Sequence, residues 1–224
     1  SPTDHPPIAV PVSPTAALFD IGNVLVEVDF ARGLTPLVPP EAGAPHLRLR
    51  NLLEKCSELE TGRITPDEFI AMASECLDFT GPAEEFRNAW NSIFHPMRTM
   101  WAVVSFLKSL HLKLILFSNT NCMHIEWLLT NYEIFETFGG RVFSHEVGVN
   151  KPDPAIYHHA ITEFNLAPEE TLYIDDLPEN IATGRALGFR CHQYSRERHH
   201  EFIAWLDQEF GLPDGGAHGT TAST

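Results

Sequence analysis

The sequence has few cysteines and few basic residues, and each shortage argues against a class of protein. The four cysteines, Cys56, Cys76, Cys122 and Cys191, are scattered without C-x-x-C spacing, which argues against a disulfide framework and a zinc site. Fifteen Lys and Arg residues stand against thirty Asp and Glu residues, for a formal net charge of -15. A field of that sign repels nucleic acid and anionic membrane surfaces, so neither is expected as a partner.

The sequence also lacks an apolar run long enough to cross a membrane and a basic-then-apolar signal pattern at its N-terminus. Together with cysteines that indicate reduced thiols, these absences predict a cytoplasmic protein. Hydrophobic residues make up 43% and charged residues 20% of the 224 residues, which is ordinary for a globular chain. That length holds one α/β core and a small inserted domain.

Between two unusual ends, short apolar runs alternate with helical stretches. Residues 1–15 are rich in proline and predict a flexible arm, and residues 211–224 are rich in Gly, Thr, Ala and Ser and predict a disordered tail. The alternation predicts βα units on a parallel sheet that is covered by helices on both faces. The apolar runs lie at 16–19, 112–117, 141–143, 171–174 and 189–192.

Residues 31–95 interrupt this alternation, because they carry helical patterns only, at 47–59, 66–77 and 83–93. One of these helices has a clear start: Thr65 is the N-cap, Pro66 occupies the first helical position, and Glu68 completes a capping box. A helical insert directly after the first strand predicts a small all-helical cap over that strand's end. The core is then expected to comprise residues 16–30 and 96–210.

Four polar clusters follow the predicted strands, where active groups of a parallel sheet gather. Asp20 is placed to attack phosphorus and form an aspartyl-phosphate. The hydroxyl of Ser118 and the amides after it suit phosphate oxygens, and Lys151 suits the charge of a transferring phosphoryl group. The adjacent Asp175 and Asp176 repel each other unless a cation such as Mg²⁺ lies between them.

Each cluster also has a plainer structural interpretation. Asp20 could end its strand, Ser118 could cap a helix, Lys151 could be a solvated surface residue, and the acid pair at 175 and 176 could be an acidic turn. Four strand ends that carry the parts of one phosphate-transfer site favour the functional interpretation.

With these clusters, the chain resembles the haloacid dehalogenase superfamily, subfamily I with a helical C1 cap, and within it the bacterial α-D-glucose-1-phosphate phosphatase branch. The resemblance implies a Rossmann-like parallel sheet core, a helical cap, and a Mg²⁺-dependent phosphatase that forms an aspartyl-phosphate. The matching segments are FDIGNVLV at 19–26, FSNTN at 117–121, GVNKPDPAIY at 148–157 and YIDDLPEN at 173–180.

The resemblance also implies roles for individual residues. Asn180 matches a polar residue that supports the site. Apart from the resemblance, Arg32 follows the turn and flap after the first strand and is either the candidate for a polar contact with a sugar or a second anion, or a surface arginine. The other implied roles are nucleophile and metal ligand for Asp20, a metal-binding carbonyl for Gly22, phosphate binding for Ser118 and the amide of Asn119, phosphate binding and catalysis for Lys151, and metal placement for Asp175 and Asp176.

The sequence departs from the family pattern at Gly22, where most of these phosphatases have a second aspartate that protonates the leaving oxygen. General acid–base catalysis contributes about 10²- to 10⁴-fold, so its loss weakens catalysis without abolishing it. The loss is smallest for a good leaving group such as the anomeric hydroxyl of a sugar 1-phosphate. We therefore expect a small phosphorylated metabolite, such as a hexose 1-phosphate, as substrate.

Two other functions fit part of the pattern. A metal-independent 2-haloacid dehalogenase also lacks the second aspartate, but the pair at Asp175 and Asp176 would repel its carboxylate substrate. A non-catalytic member that binds a phosphorylated ligand or a protein would not need Asp20, Lys151 and both acids. The oligomeric state, monomer or dimer, does not follow from the sequence.

Overall fold

The computed structural model of this chain describes residues 12–213 and 216–218. Five strands form a parallel sheet in the order β5-β4-β1-β6-β7, and two short strands form a separate antiparallel pair. The strands are β1 (Ala16–Phe19), β2 (Val26–Val28), β3 (Phe94–Pro96), β4 (Lys113–Ser118), β5 (Gly140–Phe143), β6 (Thr171–Asp175) and β7 (Arg190–Gln193).

Helices connect these strands. The helices are α1 (Phe30–Leu34), α2 (Pro45–Leu53), α3 (Ser57–Glu60), α4 (Pro66–Leu77), α5 (Ala83–Asn91), α6 (Arg98–Ser109), α7 (Cys122–Asn131), α8 (Ser144–Val147), α9 (Pro154–Phe164), α10 (Pro178–Ala186) and α11 (His199–Phe210).

The three inner strands, β4, β1 and β6, are buried on both faces, which explains why they are nearly continuous apolar runs rather than alternating ones. Strand β1 lies at the centre of the sheet and pairs in parallel with β4 and β6. On β1, Phe19 packs into one hydrophobic cluster and Leu18 into another, so successive side chains support opposite faces. The predicted Rossmann-like α/β fold is confirmed, and the chain leaves the centre of the sheet at Asp20.

Helices α1 to α5 form the cap between β2 and β3, and a hydrophobic cluster of its own holds it together. The prediction that residues 31–95 contain only helices is wrong at its C-terminal end, where strand β3 begins. This strand pairs with β2, so that Val28 lies opposite Phe94 where the chain enters and leaves the cap. The helix predicted over 47–59 is likewise two helices, α2 and α3, with a break between them. Thr65 does cap α4, accepting from the backbone N–H of Glu68.

The ends of the chain differ in part from expectation. Residues 1–11 of the predicted arm and 219–224 of the predicted tail lie outside the described residues. Thr15 extends the sheet, because its N–H donates to the carbonyl of Glu170. Residues 214–215 of the tail also lie outside the described residues, whereas Gly216–His218 form a 3₁₀ turn with Ala217 buried, and the N–H of Ala217 donates to Asp207. Among the described residues, no helix is long and apolar enough to span a membrane.

Candidate active site

The nucleophile candidate is held at the carboxyl end of the central strand. Asp20 directly follows β1, and its N–H donates to the carbonyl of Ile174 at 3.0 Å, which continues the pairing with β6. The N–H of Ile21 donates to Asp20 Oδ1 at 2.8 Å. The carboxylate is therefore oriented by its own backbone, and only 8% of the residue is exposed.

Lys151 connects three neighbouring strand ends. Its Nζ lies 3.1 Å from Asp20 Oδ1 and 2.7 Å from Asp175 Oδ2, and it donates to the carbonyl of Phe117 at 2.8 Å. Burial alone would lower the pKa of this lysine, but the two carboxylates raise it above its ordinary value. Lys151 is therefore a fixed positive charge beside Asp20.

The loop that carries Lys151 is attached to β4 by an amide side chain. Asn119 Nδ2 donates to the Lys151 carbonyl at 2.9 Å, and the Lys151 N–H donates to Asn119 Oδ1 at 2.8 Å. Asn119 follows Ser118, the buried last residue of β4, so the phosphate-binding candidates and the lysine form one connected unit. The predicted grouping of Ser118, Asn119 and Lys151 has its physical basis in this pair of hydrogen bonds.

Asp175 is the anchor of the site. Its carboxylate accepts from Lys151, from the Tyr173 hydroxyl at 2.7 Å, from the Leu177 N–H at 3.0 Å and from Asn180 Nδ2 at 3.2 Å. Burial raises the pKa of this carboxyl, but the charge of Lys151 and these hydrogen bonds bring it below its ordinary value. The ionised form of Asp175 is thus favoured, and its oxygens are occupied by donors, one of which is Asn180 of α10.

Carboxylate oxygens of Asp20, Asp175 and Asp176 lie within 4.8 Å of one another. Burial and the neighbouring negative charges raise the pKa of Asp20 and of Asp176, which indicates that a cation is needed to keep both ionised. Hard oxygen donors fit Mg²⁺. Because donors occupy Asp175, Asp20 and Asp176 are the better ligands, with the Gly22 carbonyl of the same turn as the predicted third.

The site opens into a cavity of about 440 Å³ between core and cap. Asp20, Gly22, Ser118, Asn119 and Lys151 line its floor. The opposite side, here called the cap wall, is apolar except for the carboxyl of Glu60. Besides Glu60, the cap wall consists of Phe30, Leu53, Cys56, Leu59, Trp90 and Ile93.

A family model described as haloacid dehalogenase-like hydrolase matches residues 14–188, which include every one of these site residues. The chain belongs to this family. It is 27% identical over 186 residues to the D-ribitol-5-phosphate phosphatase of Bacteroides thetaiotaomicron, covering 79% of this chain and 89% of that protein. It is 25% identical over 175 residues to the sesquiterpene phosphatase of Aspergillus oryzae, covering 77% of this chain and 86% of that one.

A solved structure of a HAD family enzyme from Bacteroides thetaiotaomicron, in complex with magnesium and inorganic phosphate, has the same fold. Its TM-score is 0.66 at 25% identity, over 80% of this chain and 92% of that one. The family model and these relatives confirm the predicted resemblance at the level of the haloacid dehalogenase-like hydrolases.

The position of Arg32 corrects one site prediction. Arg32 is exposed on α1 and does not line the cavity; its guanidinium lies 3.4 Å from His95 Nδ1 instead. The pattern around Arg32 placed it near the turn after β1 but carried no information on which side of α1 faces the cavity.

Sequence reasoning missed the contact that holds the cap of this hydrolase against its core. His124 and Asn121 on the core side meet Trp90 of the cap: Trp90 Nε1 donates to Asn121 Oδ1 at 3.4 Å, and His124 Nε2 donates to the Trp90 carbonyl at 2.9 Å. The two rings stack with centroids 4.4 Å apart. Trp90 packs in the cap core, but no spacing in the sequence connects it with His124.

This contact predicts a pH dependence of stability. Burial lowers the pKa of His124 from 6.5 to about 3. The unfolded chain therefore binds more protons between these values, and stability falls as the pH drops below about 6.5. Between pH 7 and pH 5, the free energy of unfolding of the wild type should fall by about 2 kcal/mol more than that of His124→Gln, measured by urea denaturation.

The matched control is His158→Gln on the exposed face of α9, which should follow the wild type at both pH values. An equal fall in His124→Gln and wild type would show that His124 does not stay neutral in the folded protein.

Proposed function

We propose that this hydrolase is a Mg²⁺-dependent phosphatase that hydrolyses small phosphate monoesters through an aspartyl-phosphate at Asp20. The observation that carries the proposal is the buried Lys151, which contacts Asp20 and Asp175 at the carboxyl ends of neighbouring strands. A buried cation beside an oriented carboxylate suits a dianionic phosphoryl group that must reach that carboxylate. The solved relative with bound magnesium and phosphate supports the same chemistry.

The chain's own residues divide the reaction into two steps. Asp20 attacks phosphorus and the ester oxygen leaves, and water then attacks the aspartyl-phosphate to release inorganic phosphate. Lys151 holds a phosphoryl oxygen and its charge favours the ionised form of Asp20, while Ser118 and the Asn119 amide are placed for the other oxygens. Asp20 and Asp176 would hold Mg²⁺, which when bound would further stabilise the negative charge on the transferring group.

Sugar phosphates are the substrate class that the first motif favours. Gly22 carries no acid, and a hexose 1-phosphate has a leaving group that depends little on one. The similarity to a D-ribitol-5-phosphate phosphatase supports a polyol or sugar monophosphate.

The cap wall favours a second candidate, the monophosphate of an apolar alcohol. Apart from Glu60, its side chains offer no partner for the several hydroxyls of a sugar, and a buried hydroxyl without a partner is costly. The similarity to a sesquiterpene phosphatase supports this candidate.

A panel of esters with and without metal tests both candidates. Phosphate release from hexose 1- and 6-phosphates, ribitol 5-phosphate and a prenyl monophosphate is measured in Mg²⁺ and in EDTA. Because the metal contributes several kcal/mol, removing it should lower kcat/KM at least about 100-fold. The substrate with the highest kcat/KM identifies the class, and activity that EDTA leaves unchanged would contradict the proposal.

The same panel separates the dehalogenase alternative. Metal-independent release of halide from a 2-haloacid, without phosphate release from any ester, would show that the site carries out that reaction instead. The three neighbouring carboxylates of Asp20, Asp175 and Asp176 argue against dehalogenation, because the carboxylate of a 2-haloacid substrate would add to their repulsion.

A further inference from the structure

The proposed reaction needs a proton that Gly22 cannot supply. When the bond from phosphorus to the ester oxygen breaks, the leaving alkoxide must be protonated unless it is already stable. A donor must line the cavity next to the floor that holds the phosphate. The titratable residues that line the cavity in the described part of the chain are Asp20, Cys56, Glu60, His124, Lys151 and Asp176.

Three of these residues belong to the reacting centre. Asp20 is the nucleophile and must be ionised, and Asp176 is a candidate metal ligand. Lys151 is paired with two carboxylates that raise its pKa, so it keeps its proton. None of the three is free to protonate the leaving oxygen.

His124 and Cys56 are excluded by their contacts. Both ring nitrogens of His124 are occupied, by Asn121 and by the Trp90 carbonyl, and burial lowers its pKa to about 3, so the ring is neutral. Its remaining proton is on Nε2, which points to a carbonyl. The Cys56 thiol donates to the Leu52 carbonyl, and burial raises its pKa to about 12, which makes it a weak acid.

Glu60 differs from all five. It is the last residue of α3, it lines the cavity from the cap side, and it is partly buried. Within the described residues, no hydrogen bond or ion pair engages its carboxyl. It is near enough to Lys151 for the two charges to interact. An unengaged carboxyl that faces the reacting centre across the cavity can contact a substrate atom.

We propose that Glu60 is the general acid that replaces the missing aspartate at Gly22: it protonates the leaving oxygen and then serves as the base for hydrolysis. This inference rests on the proposed phosphatase function. It places the acid on the cap side of the cavity rather than on the turn after β1. The acid then acts only on a substrate over which the cap has closed.

Glu60 gives up one proton in the first step and regains one in the second. In the first, the bond from Asp20 to phosphorus forms, the bond from phosphorus to the ester oxygen breaks, and the Glu60 proton moves to that oxygen to give the free alcohol. In the second, water attacks phosphorus and gives its proton to the Glu60 carboxylate. Asp20 is released as a carboxylate, inorganic phosphate leaves, and Glu60 is protonated again.

The surroundings of Glu60 suit an acid that works near neutral pH. Burial raises its pKa from 4.5 to about 7, and the charge of Lys151 opposes the shift. Cys56 lies one turn earlier on the same side, and its thiol is neutral. Helix α8, which packs against α3, contributes His145, whose pKa burial lowers, and Glu146, which pairs with an arginine of β5.

The test compares leaving groups in Glu60→Gln. With 4-nitrophenyl phosphate, whose leaving group needs no proton, kcat/KM should fall by less than about threefold, because this constant covers the steps up to release of the first product. With hexyl phosphate it should fall about 100-fold, and with phenyl phosphate by an intermediate factor. Glu58→Gln, an exposed glutamate of the same helix, is the matched control and should follow the wild type on all three esters.

A second measurement reports the ionisation of Glu60 without catalysis. An acid whose pKa is raised in the folded state costs stability as the pH rises from 4.5 towards 7. The Tm of Glu60→Gln should therefore exceed that of the wild type at pH 8, and the difference should shrink towards pH 5. A merely structural role would lower the Tm at both pH values.

The outcomes distinguish the two proposals. Equal losses with all three esters, or no loss with hexyl phosphate, would overturn the role of Glu60 and leave the phosphatase intact. Wild-type protein that releases phosphate from none of them in Mg²⁺ would overturn the proposed function and the role of Glu60 with it.

Discussion

Asp20→Asn should remove turnover of every phosphate ester, with a fall in kcat of at least about 10³-fold. The amide keeps the size of the side chain but cannot attack phosphorus, so the aspartyl-phosphate does not form. It also loses the charge that faces Lys151 at 3.1 Å and one ligand oxygen for Mg²⁺. The measurement is steady-state phosphate release, together with acid-quenched trapping of phosphoprotein from a labelled ester.

The fold should survive this change, because Asp20 lies at the end of β1 and its backbone hydrogen bond to Ile174 is unaffected. Asp78→Asn is the matched control: Asp78 is exposed, caps α4 in the left-handed region, and asparagine is well tolerated there. Residual activity within tenfold of the wild type, in a protein that unfolds normally, would show that another group is the nucleophile.

Lys151→Met should lower both activity and stability. Methionine keeps most of the buried length of the side chain but leaves Asp20 and Asp175 without their cation. Breaking a buried ion pair by removing one partner costs about 3–5 kcal/mol. Loss of a buried charge on the transferring phosphoryl group should lower kcat/KM by about 10³-fold.

Urea unfolding with and without Mg²⁺ measures the effect on stability separately from the effect on activity. Urea unfolding in EDTA should show the full loss of stability, and in Mg²⁺ a smaller one, because a bound cation offsets part of the repulsion between the carboxylates. Lys108→Met, an exposed lysine of α6, should behave as the wild type in both buffers. A Lys151→Met protein with unchanged stability in EDTA would contradict the importance of the pairing seen in the structure.

The core of the fold and the floor of the site follow from local sequence. Asp20, Ser118 and Asp175 each come at the end of a short apolar run, and in a parallel sheet such ends meet at one edge. The positions of these residues at the ends of predicted strands are therefore enough to predict that they lie close together. The roles of Asp175 and Asn180, an anchor and its donor, are also local, since they lie five residues apart on β6 and α10.

The cap is the part that sequence patterns describe least well. Strand β3 continues directly from a helical pattern and forms because β2 offers it a partner, a contact between residues more than sixty positions apart. Arg32 has a side chain and a sequence position that suit a substrate contact, yet on α1 it is exposed to solvent. The direction of a helical side chain and the pairing of a strand depend on packing against residues that are distant in the sequence. A local sequence pattern carries no information on those residues.

The sequence by itself determined the family, the sheet, the position of the candidate nucleophile Asp20 and the absence of an acid at Gly22, because each depends on residue type and on position relative to a strand end. Only the tertiary structure decided what faces that site. Glu60 and every residue of the cap wall except Phe30 lie more than thirty residues from Asp20 along the chain, and folding of the cap brings them to the same cavity. Their chemistry comes from burial and from neighbouring charges, and both are properties of the folded chain.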